Sequence, residues 1–295
     1  GSGADDSDQS DDLSVPETDE CERTGGTALK KNSKLSNLYL ALVFLIMYLP
    51  ILVVVIFSFN NSRLTVSWEG FSLQWYETLF QDDTLMEALV NSLILGVLSC
   101  LLSAVIGTLG AVGLSQLHYK SKGLLEYVSL LPLMIPEIIL GMVFLAFFSR
   151  LNLPFGMVTL LIGHTVFCIP YILMEVKARL VGMDKSLEEA AMDLGASPMR
   201  TFFDITLPLI MPAVFSGALL AFAMSMDDVV ISVFINGPRL STLPIRVYTQ
   251  MKTGVTPEIN ALCTLMLIAS IVILFVYSLV RKLSGRDVSE KKQEI

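Results

Sequence analysis

The sequence predicts an all-α membrane protein, with six transmembrane helices and a folded cytoplasmic helix between helices 4 and 5. Three observations predict it. The composition is 53% hydrophobic and only 16% charged, with mean hydropathy +0.66, where soluble domains carry about 25% charged residues. Six apolar stretches are each long enough for a bilayer core, which takes about 20 helical residues. Lys and Arg also fall mainly on one side of those stretches, as topology in a membrane requires.

The net charge of −8 comes from one end. Residues 1–22 carry nine acids and no Lys or Arg, leaving 20 bases against 19 acids elsewhere. No large basic surface for nucleic acid follows from that balance. Residues 1–37 are rich in Asp, Ser, Thr, Gly and Glu, with little to bury, and are expected to be disordered. The opening Gly-Ser-Gly, without Met, reads as partly a remnant of preparation. Cys21, Cys100, Cys168 and Cys263 are widely spaced, which supports neither a zinc site nor a disulfide framework.

The expected spans are 38–59, 88–117, 124–148, 156–178, 208–235 and 259–280. The transmembrane domain runs over 38–282, and 283–295 form a cytoplasmic tail. The first span is too long for a signal-peptide core, and no small-residue cleavage site follows it. Arg23, Lys30, Lys31, Lys34, Lys120, Lys122, Lys177, Arg179, Lys185 and Arg200 lie on one side with the five bases of the tail. Arg63, Arg150, Arg239, Arg246 and Lys252 lie on the other. Both termini are therefore expected in the cytoplasm. Gly107, Gly110 and Gly113 should let the second span approach a neighbour closely. Pro132 and Pro136 should kink the third.

The link 186–208 carries the most specific signal. Ser186 followed by Glu189 is a capping box that starts a helix, and Gly195 supplies the freedom to end it. Ser197-Pro198 can start a second helix, with Pro at its permitted first position. Pro208 then marks the start of span five. A short rigid helix there can seat on a cytosolic partner and pass its motion to the spans, although an ordinary connector would look similar.

The spacing of this link resembles that of binding-protein-dependent ABC importer permeases (type I). Glu189-Ala190-Ala191, three residues, Gly195, nine residues, Ile205, one residue and Leu207-Pro208 match their signature loop without a gap. The resemblance covers residues 35 to 282. It is closest to the C-type permeases of spermidine/putrescine importers, through Ser225-Met-Asp-Asp-Val-Val-Ile-Ser232, Gly237-Pro238, Leu243-Pro244 and Val247-Tyr248. Met251-Lys252, Gly254-Val255, Pro257–Leu262, Ser58–Arg63 and Trp68–Ser72 extend it. The acidic N-terminal segment departs from the pattern.

The resemblance implies a non-catalytic permease subunit in a bacterial cytoplasmic (inner) membrane. It further implies a second, non-identical permease subunit, a cytosolic ABC ATPase dimer that binds ATP and Mg, and an extracytoplasmic polyamine-binding protein. Related permeases carry iron, sulfate, thiamine or opines, so the substrate stays open at this point. The residues agree with an external energy source, because no Gly-rich phosphate loop ending in Lys-Ser/Thr is present. A secondary transporter would predict inverted repeats, which are not visible. An intramembrane enzyme would need a catalytic constellation, and His118 and His164 stand alone as packing or interface residues.

Ionisable groups inside spans point to function. Glu137 in span three and Asp227-Asp228 in span five would lie in the outer half if their helices run straight. Two adjacent acids point about 100° apart on a helix, so both face one cavity only if it is broken there. The alternative is an acid capping a helical segment at a kink. Glu175 belongs with Lys177 and Arg179 at the inner interface. Tyr248, Phe144, Phe147, Phe148 and Phe222 could stack on a cation, though Phe at helical spacing is usually packing.

Overall fold

The computed structural model describes residues 33–62, 67–117, 122–253, 257–272 and 275. The acidic segment, His118 and the basic tail lie outside the described residues. The chain divides into residues 1–52, which hold most of the first helix, and 53–295. That helix, α1 (Ser33–Phe57), is apolar on all sides, and a 22-residue stretch of it, Ser36–Phe57, is long enough to span.

In the second unit, α2 (Gln74–Gln81) leads into α3 (Asp83–Gln116). Asp82 starts α3 by accepting from the Thr84 and Leu85 N–H groups. Burial pushes its carboxyl upward, but these bonds and the Thr84 hydroxyl win, so it titrates below the ordinary Asp range. The helices α4 (Lys122–Met134), α5 (Glu137–Arg150) and α6 (Met157–Val181) follow. After them come α7 (Ser186–Asp193), α8 (Pro198–Thr201), a π-helical turn (Phe202–Thr206) and α9 (Leu207–Asp227). The chain continues as α10 (Val230–Ile235), α11 (Leu243–Thr253) and α12 (Pro257–Val272). Among the described residues the only β feature is an isolated bridge, Asn60 to Phe71.

Among the described residues, four helices are long and apolar enough to cross a membrane: Ser36–Phe57, Asp83–Gln116, Met157–Val181 and Pro198–Asp227. The expected third span does kink at Pro136, and more sharply than a bent rod. Its halves, α4 and α5, meet at 102° around Ile135-Pro136, and together they make a fifth candidate. Pro132 sits in the last turn of α4, which runs on to Met134 without breaking at it. Pro136 is extended and starts α5, and a residue preceding proline is pushed out of the α region. The straight-helix placement of Glu137 therefore does not hold. The expected fifth span is also divided. Its α9 is continuous backward to Pro198, and it stops at Asp227.

The core of this unit is α3, α6 and α9. Leu95, Leu160, Phe167, Ile172, Ile210 and Ala221 are buried along their shared seam. Close approach depends on two glycines that face one isoleucine. A Cβ on Gly107 would lie 3.0 Å from Ile172 Cβ, and one on Gly217 would lie 3.0 Å from Ile172 Cα. Gly110 and Gly113 have room for a side chain, so of the three glycines expected in the seam only Gly107 is used. Beyond the seam, Trp75, Leu79 and Leu85 bury against Leu243, Ala261 and Leu262. The Trp75 indole donates to the Asn60 carbonyl at 2.6 Å.

After α10, Gly237 lies directly on the Phe155 backbone, where a Cβ would collide with the carbonyl oxygen. Backbone cannot yield as a flexible side chain does. Gly237→Ala is expected to destabilise the protein by about 1–3 kcal/mol, seen as a lower unfolding midpoint of the purified protein in detergent.

Candidate functional site: a coupling segment and three intramembrane acids

The segment 184–208 is a folded unit. Its first helix does begin at Ser186, but the expected capping box is absent. Asp184 instead accepts from the Ser186 N–H at 3.0 Å. Ser186 is already inside the first turn, so its hydroxyl is not placed to cap. The bond holds the Asp184 carboxyl below its ordinary range. Its contribution to the helix start is present above the unfolded pKa and is lost as pH falls through the lower folded value.

The other end forms as expected. Gly195 has φ +88°, a conformation glycine adopts without a Cβ penalty. Its N–H bonds to the Met192 carbonyl at 2.9 Å, and the Ala196 N–H bonds to Ala191 at 3.0 Å. This reciprocal pair satisfies carbonyls that the helix end would leave open. Ser197 then accepts from the Arg200 N–H at 3.3 Å, with Pro198 in the first turn.

Glu189, Ala190 and Gly195 are exposed, Ala191 is half-buried, and Leu194 is 89% exposed. Ile205 and Leu207 are half-buried, and Pro208 is exposed in the first turn of α9. A residue that the sequence reading missed ties the unit together. Glu188, not Glu189, accepts from the buried Thr206 hydroxyl at 2.6 Å. It thereby joins α7 to the π turn that runs into α9. Ala191, Leu194, Gly195, Arg200, Asp204 and Ile205 line a hollow between the two arms.

The three acids separate into two kinds. Asp228 is 7% exposed at the break between α9 and α10. Its Oδ1 accepts from the Ile231 N–H at 3.1 Å, and its Oδ2 accepts from the Ser232 N–H and hydroxyl at 2.8 Å each. His164 Nε2 is 3.4 Å from the same Oδ2. Asp228 therefore caps α10. Asp227 and Glu137 are exposed, and Glu137 lies within electrostatic reach of both aspartates.

The break brings in residues the sequence reading left as packing. His164 Nδ1 is 2.8 Å from Ser225 Oγ, and Nε2 is 3.0 Å from Ser232 Oγ. The available signal was one imidazole in an apolar span together with two serines seven positions apart, flanking the acids. The aromatics divide too. Phe144 and Phe148 are buried and stacked, with centroids 5.8 Å apart, which is packing. Tyr248 is exposed, and Lys252 Nζ already lies 4.4 Å from its ring centroid. Glu175 is half-buried, and Lys177 pairs with Glu126 at 2.7 Å.

The chain is similar to known proteins. Residues 103–290 match the family described as binding-protein-dependent transport system inner membrane component. The chain is 38% identical over 248 residues to the spermidine/putrescine transport system permease protein PotC of Haemophilus influenzae, covering 84% of this chain and 96% of the relative. It is 42% identical over 235 residues to the putrescine transport system permease protein PotI of Escherichia coli, covering 77% and 84%. Among solved structures, a bacterial ABC transporter involved in the import of alginate superposes with TM-score 0.65 at 16% identity, over 84% of this chain and 95% of that one. The MetNI methionine ABC transporter superposes with TM-score 0.56 at 20% identity, over 67% and 94%. These two likenesses speak to the fold, which is that of type I ABC importer permeases. With its family matched across residues 103–290, which include the 184–208 segment and the broken span, the chain belongs to the inner membrane components of binding-protein-dependent transport systems.

Proposed function

We propose that this chain is a non-catalytic permease subunit of an ATP-driven polyamine importer. It works beside a second, non-identical permease subunit, a cytosolic ATPase dimer that binds ATP and Mg, and an extracytoplasmic polyamine-binding protein. The observation that carries the reading is the continuity from α7 to α9. A rigid helix closed at both ends is tied by Glu188 to a turn that becomes a membrane-crossing helix without a break. Force applied to α7 moves α9 as a body, because packed helices shift as units rather than deform.

The exposed surface of α7 suits a protein partner. Leu187, Met192 and Leu194 stand out with Glu189 in a segment rich in charge. Exposed apolar residues outside the lipid mark places where something docks. On the polyamine side, an extended polycation leaving water needs negative charge along its route. Glu137 and Asp227 supply two carboxylates whose lone pairs no protein donor occupies among the described bonds. Tyr248 could add a ring face for a cation if Lys252 gives it up. The relatives named for spermidine and putrescine support the same substrate class.

Both termini face the cytoplasm in this reading. A cysteine placed at Arg239 should react with an impermeant thiol reagent added outside intact cells. One at Lys185 should react only after permeabilisation, and the reverse pattern would overturn the orientation. The docking is tested by a cysteine at Ala190 with a photoactivatable crosslinker in native membranes. The expected product is a covalent adduct to the ATPase, more abundant in one nucleotide state than another. Labelling of lipid alone would contradict it.

A further inference from the structure

The break in the fifth span is closed from outside by one side chain. Helix α9 ends at Asp227 and α10 begins at Val230, so two residues of backbone alone connect them. His164, on α6, reaches both sides. Its Nδ1 meets Ser225 in the last turn of α9, and its Nε2 meets Ser232 in the first turn of α10. The imidazole is 1% exposed.

Proton counting orders these bonds. The Ser232 hydroxyl has one hydrogen, and Asp228 Oδ2 takes it at 2.8 Å. Toward His164, Ser232 can then only accept, so Nε2 carries the ring hydrogen. A neutral ring leaves Nδ1 as acceptor for the Ser225 hydroxyl. Ser99 of α3, 3.2 Å from Ser225 Oγ, extends the line to a third helix. Ser99 also lies 3.2 Å from the Gly96 carbonyl, so the ordered donors run from Ser225 to His164, Ser232 and Asp228, and bonds aligned in this way strengthen one another in a low-dielectric interior.

What the tie holds matters because of what α10 carries. The Phe234 ring lies on Gly141 of α5, where a Cβ would come within 2.6 Å of it, and the end of Ile235 lies on Gly163 of α6. Helix α5, with Glu137 in its first turn, therefore seats on α10, while Asp227 ends α9. The three bonds that Asp228 accepts from Ile231 and Ser232 all come from the first turn of α10, so they fasten Asp228 to α10 and not α10 to α9. Thr159 of α6 also holds α10, donating to the Ile235 carbonyl at 3.0 Å, and Cys168 of α6 bonds Ala221 of α9 at 3.3 Å. Among the described hydrogen bonds, though, His164 is the one side chain that joins the two helices across the break.

We propose that His164 is a positioning residue that locks α10 to the end of α9 and so sets the spacing between Asp227 and Glu137. Its consequence for transport rests on the reading of those two acids as the polyamine route. Two carboxylates at fixed separation favour an amine spacing that matches them, so the lock bears on which polyamine passes fastest.

The test uses the assembled transporter in nanodiscs, with the four native cysteines replaced by alanine and spin labels at Ala223 of α9 and Met142 of α5. His164→Phe keeps a ring and removes both bonds. It should broaden or displace the label-to-label distance distribution relative to wild type. His164→Gln keeps one donor and one acceptor and should restore it. The paired change Ser225→Ala with Ser232→Ala, which leaves the imidazole in place, should act as His164→Phe does. In parallel, ATP-driven turnover is measured for putrescine and spermidine with the binding protein saturated, so that its own affinities cancel. The ratio of the two turnovers should shift by about threefold or more in His164→Phe, well within what a misplacement of about 1 Å can cost.

An unchanged distance distribution in His164→Phe overturns the proposal, and so does a Gln variant that behaves like Phe. A turnover loss equal for both polyamines makes His164 merely structural and overturns the spacing claim. If the distances move while both turnovers stay normal, the lock stands and the route through Glu137 and Asp227 is what fails.

Discussion

Gly195→Val and Glu189→Lys should each abolish ATP-driven uptake while the subunit still inserts and assembles with its partner permease. Gly195 has open space where a Cβ would stand, so the defect is not a clash. It comes from φ +88°, which a β-branched residue is strongly disfavoured from adopting. The chain would leave that conformation, and the bonds from Gly195 and Ala196 to Met192 and Ala191 would go with it. The helix would then end in a different direction from the one α8 and α9 continue. Gly195→Asn is the control, because Asn tolerates the left-handed region. It should keep most of the activity. Glu189→Lys acts differently, since Glu189 is exposed and its bonds in the fold are those of the helix backbone. Reversing its charge should leave α7 intact and repel a basic residue on the ATPase. Uptake and co-purified ATPase, both normalised to subunit abundance, separate the two effects.

The second large effect is expected from removing charge at the exposed acids. Asp227→Asn and Glu137→Gln keep shape and should lower polyamine uptake about tenfold each, with ATPase assembly unchanged. Asp228→Asn should behave otherwise. Its oxygens are occupied by Ile231, Ser232 and the neighbouring His164. An amide in that place would turn an NH2 toward a donor on α10. The expected result is a less stable protein rather than a selective loss of transport. Normal uptake in both Asp227→Asn and Glu137→Gln would remove these carboxylates from the substrate route.

The legible parts of this fold were those set by local chemistry. A run of apolar residues has to be satisfied within a helix in lipid, so α1, α3, α6 and α9 could be placed from composition. Gly195 and Ser197-Pro198 mark a helix end and start that need only their neighbours. The corner at Ile135-Pro136 was harder, because proline names the place of a kink without its angle. Pro132 and Pro136 look alike in sequence, yet only the second stands at a helix boundary. The start of α7 misled for a related reason. Asp184 and Ser186 are both able to cap, and the backbone decides between them. His164 was illegible because its partners lie 61 and 68 positions away. A lone imidazole in an apolar span acquires its role only when α9 breaks beside it, and that break depends on Asp228 turning inward.

The most direct measurement is uptake of radiolabelled spermidine and putrescine into proteoliposomes that contain this subunit, its partner permease and the ATPase. Loaded binding protein is supplied outside and ATP with Mg inside. The expected result is concentrative uptake of at least one of the two polyamines, dependent on ATP and on the binding protein, and absent with Gly195→Val. Concentrative uptake that persists without ATP or without the ATPase would contradict the account, as would ATP-driven uptake of another solute with neither polyamine transported.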